Sequence, residues 1–159
     1  MSLIQLARAY TAFARDGDAV SVTLLKQEVV PTGVRVMSHE TTMAMRRMLE
    51  MAVAPDGTAP GARIPGYRVA GKTGTAYKLK NGKYAKEYVA SFVGFAPVSD
   101  PRVVVAVMID EPSGAHYGGI VAAPVFAQIT AATLRTLQVA PDGPMEPSKA
   151  PLLAMREAR

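Results

Sequence analysis

The chain has 159 residues, 49% of them hydrophobic, with no cysteine or tryptophan, a net charge of +5 and a pI near 9.6. That is about one domain with enough apolar material for a packed core, and the lack of cysteine excludes disulfide frameworks, thiolate metal sites and cysteine nucleophiles. The two histidines, His39 and His116, have no ligand-spaced partner, so no metal or cofactor is expected. No apolar run reaches membrane-spanning length, and the N-terminus lacks a signal-peptide layout.

Ser2 can cap a helix in which Leu3, Leu6, Ala7, Tyr10, Phe13 and Ala14 follow the 3.6-residue period, and Asp16-Gly17-Asp18 stops it. Val20 to Val30 is β-rich with imperfect alternation, and Pro31-Thr32-Gly33 turns the chain. Ser38 is a second N-cap, with Glu40 favouring the helix dipole. It opens a helix from Thr41 to about Val53 whose Met45, Met48, Leu49 and Ala52 read as a core face. Residues 54–66 hold three prolines and three glycines and read as loop.

Tyr67 to Leu79, Tyr88 to Val98 and Arg102 to Asp110 read as three antiparallel strands. Lys80-Asn81-Gly82-Lys83 is a hairpin signal, because Asn-Gly tolerates the positive φ of a tight turn. The unbroken run Val103 to Ile109 predicts a strand covered on both faces. A glycine-bearing loop, Ser113 to Gly119, leads to a helix with Pro124 near its first turn. Val125, Phe126, Ile129, Ala132, Thr133 and Leu137 are available there for packing. From Pro141 the chain is proline-rich and mixed in charge, which divides it into a folded part, 1–140, and an expected disordered tail, 141–159. The fold class is α+β: a three-stranded antiparallel meander with packed helices.

Five of the seven lysines (Lys72, Lys78, Lys80, Lys83, Lys86) fall in one short window, a local positive field suited to an anionic ligand. Lys72 belongs to two competing patterns. Gly66-Tyr67-Arg68-Val69-Ala70-Gly71-Lys72-Thr73 satisfies the phosphate-binding pattern G-x-x-x-x-G-K-T. A P-loop, however, feeds directly into a helix N-terminus, whereas Thr73-Gly74-Thr75-Ala76 and the residues after Ala76 have no helical period. The alternative is Lys-Thr-Gly on a strand, one of three short motifs of penicillin-reactive serine acyl-transferases. There a lysine ammonium holds positive potential near a nucleophile, threonine hydroxyls bind a substrate carboxylate, and glycine lets substrate approach the backbone.

The neighbouring blocks resemble the C-terminal part of a class B penicillin-binding protein of the division (septal, FtsI-like) type, over roughly residues 2–142. The carriers are Leu6-Ala7-Arg8-Ala9-Tyr10, Gly57-Thr58-Ala59, Gly66 to Ala76, Phe92-Val93-Gly94-Phe95-Ala96-Pro97, and Tyr117-Gly118-Gly119 through Pro124-Val125-Phe126. The resemblance implies part of a penicillin-binding transpeptidase fold, similar to serine β-lactamases. Lys72 would line the cleft, Thr73, Gly74 and Thr75 would take the terminal carboxylate of a D-Ala-D-Ala stem peptide or of a β-lactam, and the Thr75 amide would supply half of an oxyanion hole. Tyr117 and Gly118 would lie at the cleft mouth, with packing against the last helix as the other reading for Tyr117. Peptidoglycan, β-lactams and divisome proteins would be the partners, with no nucleic acid, on the periplasmic side of the inner membrane.

None of the seven serines is followed by lysine at the third position or opens Ser-x-Asn, and Asn81 is the only asparagine. The family's nucleophile and second serine are therefore expected upstream of this chain, which should be inactive alone. The remaining reading is a stand-alone carboxylate- or peptide-binding module. Without upstream strands, the 102–109 strand would carry an unpaired edge, a route to dimerisation.

Overall fold

The computed structural model describes residues 1–144. Helix α1 (Leu3–Ala14) begins with a reciprocal capping box: Ser2 N–H donates to Gln5 Oε1 at 2.7 Å, and Gln5 N–H donates to Ser2 Oγ at 3.3 Å. Asp16 and Gly17, at φ 62° and 94°, end it. Strands β1 (Asp18–Ala19) and β2 (Val34–Arg35) then pair antiparallel over two residues each. The β-rich stretch 20–30 forms no strand. Its ends are fixed to α1, where Arg8 Nε donates to Val20 O at 2.7 Å and an Arg15 guanidinium N–H donates to Pro31 O at 3.1 Å. Strand propensity is a property of paired, half-buried surface, and Val22, Leu24, Leu25, Val29 and Val30 lie exposed instead.

Helix α2 (His39–Met51) is capped by Ser38 Oγ, which accepts from Thr41 N–H at 3.1 Å. Its inward face differs in part from the expected one. Of the expected face Leu49 is buried, Met45 and Ala52 are half-buried and Met48 is 60% exposed, while the buried positions on either side of Leu49 are Thr42 and Val53. The guanidinium of Arg46 takes an inward position between Thr42 and Leu49. It donates to Phe13 O (2.6 Å) and Val98 O (3.5 Å) and lies over the Phe95 ring, tying α1, α2 and the sheet together. Burial pushes its pKa down from the ordinary value. The loop expected over 54–66 holds a short 3-10 turn, Pro60–Ala62, and buries Ala59, Ala62 and Ile64.

The meander follows the sequence reading. Strands β3 (Ala70–Lys80), β4 (Lys83–Ala96) and β5 (Val103–Asp110) pair antiparallel in that order. The turn between β3 and β4 has Asn81 and Gly82 at φ 51° and 76°. β4 begins five residues earlier than expected (Lys83 rather than Tyr88), because the hairpin ladder continues nearly to the turn. The period of two separates two cores. Val103, Val105, Val107 and Ile109 pack with Phe92, Phe126 and Leu134, while Val104 packs with Leu49, Phe95, Tyr10 and Phe13. β5 is thus covered on both faces, which is why it reads as an unbroken apolar run.

The loop after β5 leads through α3 (Gly118–Val121) to α4 (Ala123–Thr136). The buried stripe of α4 is Phe126, Thr130 and Leu134, while the expected packers Ile129 and Leu137 are 46% and 54% exposed. The Phe126 ring meets Phe92 edge-on at 4.8 Å and sets the helix rotation. Thr133 and Thr136 donate their hydroxyls to carbonyls four residues back, but the fully buried Thr130 Oγ1 has no partner among the described residues. Thr130→Val keeps the shape and removes an unsatisfied hydroxyl, so it should stabilise the fold by about 1 kcal/mol, read from the urea midpoint.

After α4 the chain folds back. Tyr67 donates its hydroxyl to Val139 O at 2.6 Å. Asp142 accepts from the Arg68 amide (2.8 Å) and from both the amide (3.0 Å) and hydroxyl (2.8 Å) of Ser99. Gly143 N–H bonds to Gly66 O. Residues 141–144 of the expected tail are therefore held against the lead-in to β3, and 145–159 lie outside the described residues.

Candidate active-site strand

Lys72, Thr73, Gly74 and Thr75 sit in the middle of β3, paired in register with Val93, Phe92, Ser91 and Ala90. Among the described residues β3 pairs only with β4, so its other edge is open. This geometry removes the nucleotide-binding reading: Lys72 lies inside an eleven-residue strand, with no helix N-terminus behind it to cradle a phosphate.

Alternation puts Lys72 on the α1 face of the sheet and Thr73 and Thr75 on the α4 face. The Lys72 ammonium nevertheless donates to Thr73 Oγ1 at 3.0 Å and approaches Thr73 O at 3.4 Å, bringing the cation to the open edge beside the hydroxyl. Thr75 Oγ1 accepts from the Gly118 amide at 3.2 Å. Each threonine hydroxyl already accepts a hydrogen bond, so its own proton is left to donate. Two hydroxyl donors and an ammonium along one strand have the chemistry to take an anion, with each charge-assisted bond worth about 1.5–3 kcal/mol.

Gly118 is what brings the loop this close. A Cβ there would stand 2.2 Å from Ser91 O and 2.7 Å from Gly74 O, both backbone atoms. Gly119 is similarly wedged against Thr58 O and lies next to the Thr73 methyl. The Gly57-Thr58-Ala59 and Tyr117-Gly118-Gly119 blocks thus meet behind the Lys-Thr-Gly-Thr strand and fix its position. Pairwise steric fit of this kind has no periodic signature, so the sequence marks the glycines without showing what they touch.

Tyr117 is 59% exposed, and its ring packs on His116 at 4.5 Å, not into the core. His116 stacks on Tyr88 (3.9 Å, 14° between planes), and Tyr88 packs on Tyr77 at 4.8 Å. The Tyr88 hydroxyl is pushed up from its ordinary pKa, first by its hydrogen bond with Tyr77 and then by burial. This four-ring row was missed in sequence. The turn alone would set Tyr77 opposite Lys86; a register shift between Tyr77 and Leu79 brings Tyr88 opposite it instead, which is why the sequence carried no signal for the row. A small cavity of about 140 Å³, lined by Leu3, Leu6, Gly74, Thr75, Ser91 and Met108, lies between α1 and the motif strand. A larger concavity of about 370 Å³ lies away from the motif, between α2 and residues 63–69.

The chain belongs to the penicillin binding protein transpeptidase domain family, which it matches over residues 1–131. It is 44% identical over 147 residues to the probable peptidoglycan D,D-transpeptidase PenA of Neisseria meningitidis, covering 91% of this chain and 25% of that protein. To the peptidoglycan D,D-transpeptidase FtsI of Escherichia coli it is 38% identical over 141 residues, covering 87% of this chain and 24% of that one. Its fold matches the transpeptidase domain of Burkholderia pseudomallei penicillin-binding protein 3 with a TM-score of 0.83 and 54% identity, over 91% of this chain and 45% of that domain. The chain therefore spans about a quarter of the length of these curated relatives and a little under half of the solved domain. No helix among the described residues is long and apolar enough to cross a membrane.

Proposed function

We propose that the chain is the carboxylate-binding part of a peptidoglycan D,D-transpeptidase active site whose nucleophile lies in a preceding part of the same polypeptide. The observation that carries this is the pair of threonine hydroxyls on the open edge of β3, each already accepting one hydrogen bond, beside the Lys72 ammonium. A D-Ala-D-Ala terminus ends in a carboxylate, and a β-lactam carries one at a comparable distance from its reactive carbonyl. Thr73 and Thr75 would hold that group. The Thr75 amide would face the carbonyl oxygen as it takes on negative charge, and Lys72 would keep the site positive. A serine supplied upstream would attack the carbonyl, expel the terminal D-Ala, and pass the acyl group to an amine of a neighbouring stem peptide.

The outer edge of β5, unpaired among the described residues, is where we place the upstream strands of the complete sheet; in the isolated chain the same edge would favour pairing with a second copy. Septal wall synthesis, with divisome partners on the periplasmic side of the inner membrane, completes the reading, and FtsI among the relatives supports it. The experiment is labelling by a fluorescent penicillin. The full-length polypeptide should carry a covalent label and the 159-residue chain should not. Label on the short chain, or none on the full-length protein, would contradict the proposal.

A further inference from the structure

Beyond Tyr88 the β3–β4 hairpin outruns β5, whose last residue, Asp110, pairs with Val89. Residues 77–88 therefore form a two-stranded arm, roughly 13 Å long along its shorter limb, Tyr77 to Lys80, at about 3.3 Å per residue. Register assigns its faces. Thr73, Thr75 and Tyr77 lie opposite Phe92, Ala90 and Tyr88, and beyond a register shift Leu79 lies opposite Tyr84, so Tyr84 continues the same face; Glu87 reaches Lys80 on the other face, which leaves its neighbour Lys86 on this one. One face thus carries the two site hydroxyls, then the row Tyr77, Tyr88, His116 and Tyr117, then Lys86 and Tyr84.

The charges on the arm divide in the same way. Lys78 bridges Asp110 and Glu111, and Lys80 bridges Glu87 and Glu111. These bonds hold Lys78 well above the ordinary lysine range and Glu111 below the carboxylate range. Lys86 is exposed with no acidic partner among the described residues, and Tyr84 beside it on that face is 79% exposed. An exposed lysine alone can serve to keep a hairpin edge from pairing, but here it stands beside an exposed tyrosine on the face that carries the site hydroxyls. Together they suit a ligand with apolar C–H ring faces and spaced carboxylates.

We infer that this face of the arm is a docking track for the polymeric substrate: an uncross-linked peptidoglycan strand, whose sugar rings stack on Tyr84 and whose stem-peptide carboxylates pair with Lys86. This deepens the function proposed above and rests on it, because the track begins at the hydroxyls that would take the D-Ala carboxylate. It gives the enzyme an affinity for polymer that a short D-Ala-D-Ala peptide cannot reach, since contacts along one strand reinforce each other.

The test uses the full-length polypeptide and three probes: labelled uncross-linked strands, the same strands stripped of their stem peptides by an amidase, and a D-Ala-D-Ala peptide. Intact strands should bind about tenfold tighter than the peptide, and Tyr84→Ser/Lys86→Glu should remove that gain without changing the rate of labelling by penicillin. Stripped strands, which keep the sugars but lose every stem carboxylate, should bind wild type more weakly than intact strands do, and Tyr84→Ser/Lys86→Glu should weaken them further. Unchanged strand binding by the variant would overturn the inference, as would equally tight binding of duplex DNA, which would mark Lys86 as a general polyanion contact. Failure of the function proposed above has a different signature: penicillin labelling and peptide binding would be indifferent to Thr73 and Thr75.

Discussion

Replacing Lys72 by alanine in the full-length polypeptide should slow acylation by a β-lactam by about a hundredfold or more, a loss typical of a preorganised electrostatic group. Two effects combine. The ammonium leaves the open edge of β3, and Thr73 Oγ1 loses the donor that fixes which way its own proton points. Lys72→Arg is an informative companion, because it keeps the charge but exchanges a compact ammonium for a planar fork. It should recover only part of the rate. Stopped-flow acylation gives both numbers, and folding controls are simple because the Lys72 side chain is exposed. Full activity of the alanine variant would remove Lys72 from the site.

Gly118→Ala should disrupt the fold and the site together. The added carbon would fall 2.2 Å from Ser91 O and 2.7 Å from Gly74 O, and neither backbone oxygen can move without parting β3 from β4. Overpacking of this kind costs about 1–3 kcal/mol. If the loop retreats instead, the Gly118 amide no longer reaches Thr75 Oγ1. Either way, acylation and the unfolding midpoint should fall together. Gly114→Ala is the control. That residue has φ 78° but nothing within 4 Å of its missing Cβ. It should cost about 1 kcal/mol of backbone strain and leave acylation intact. A Gly118→Ala protein with wild-type acylation would show that the loop does not orient Thr75.

The periodic parts of the fold were legible in the sequence. The Ser2 and Ser38 caps, the Asn81-Gly82 turn and the apolar run of β5 each carry a local physical signal, and each appears where that signal puts it. Where local signals misled, a long-range contact decided. Arg46 takes an inward position on α2 because its guanidinium bonds to carbonyls of Phe13 and Val98, 33 and 52 residues away, and Met48 of the expected face lies exposed. The Phe92–Phe126 contact rotated α4 so that Ile129 faces out. Residues 20–30 have strand propensity without a partner strand. For the candidate site, the sequence singled out Lys72, Thr73 and Thr75 by type and spacing, and the structure sets them side by side on β3. It could not show that Lys72 and Gly118 direct the two hydroxyls, since that depends on a loop 43 residues downstream of Thr75 folding back onto β3.

The most direct test of the carboxylate site is a comparison of two peptides on the full-length polypeptide, one ending in D-Ala-D-Ala and one in its neutral D-Ala-D-Ala amide, by competition with penicillin labelling. Two hydroxyl donors beside an ammonium should favour the carboxylate by about tenfold or more, and Thr73→Val/Thr75→Val should erase that preference while the amide binds as before. A preference that survives the double substitution, or none in the wild-type protein, would mean that the anion is held somewhere else.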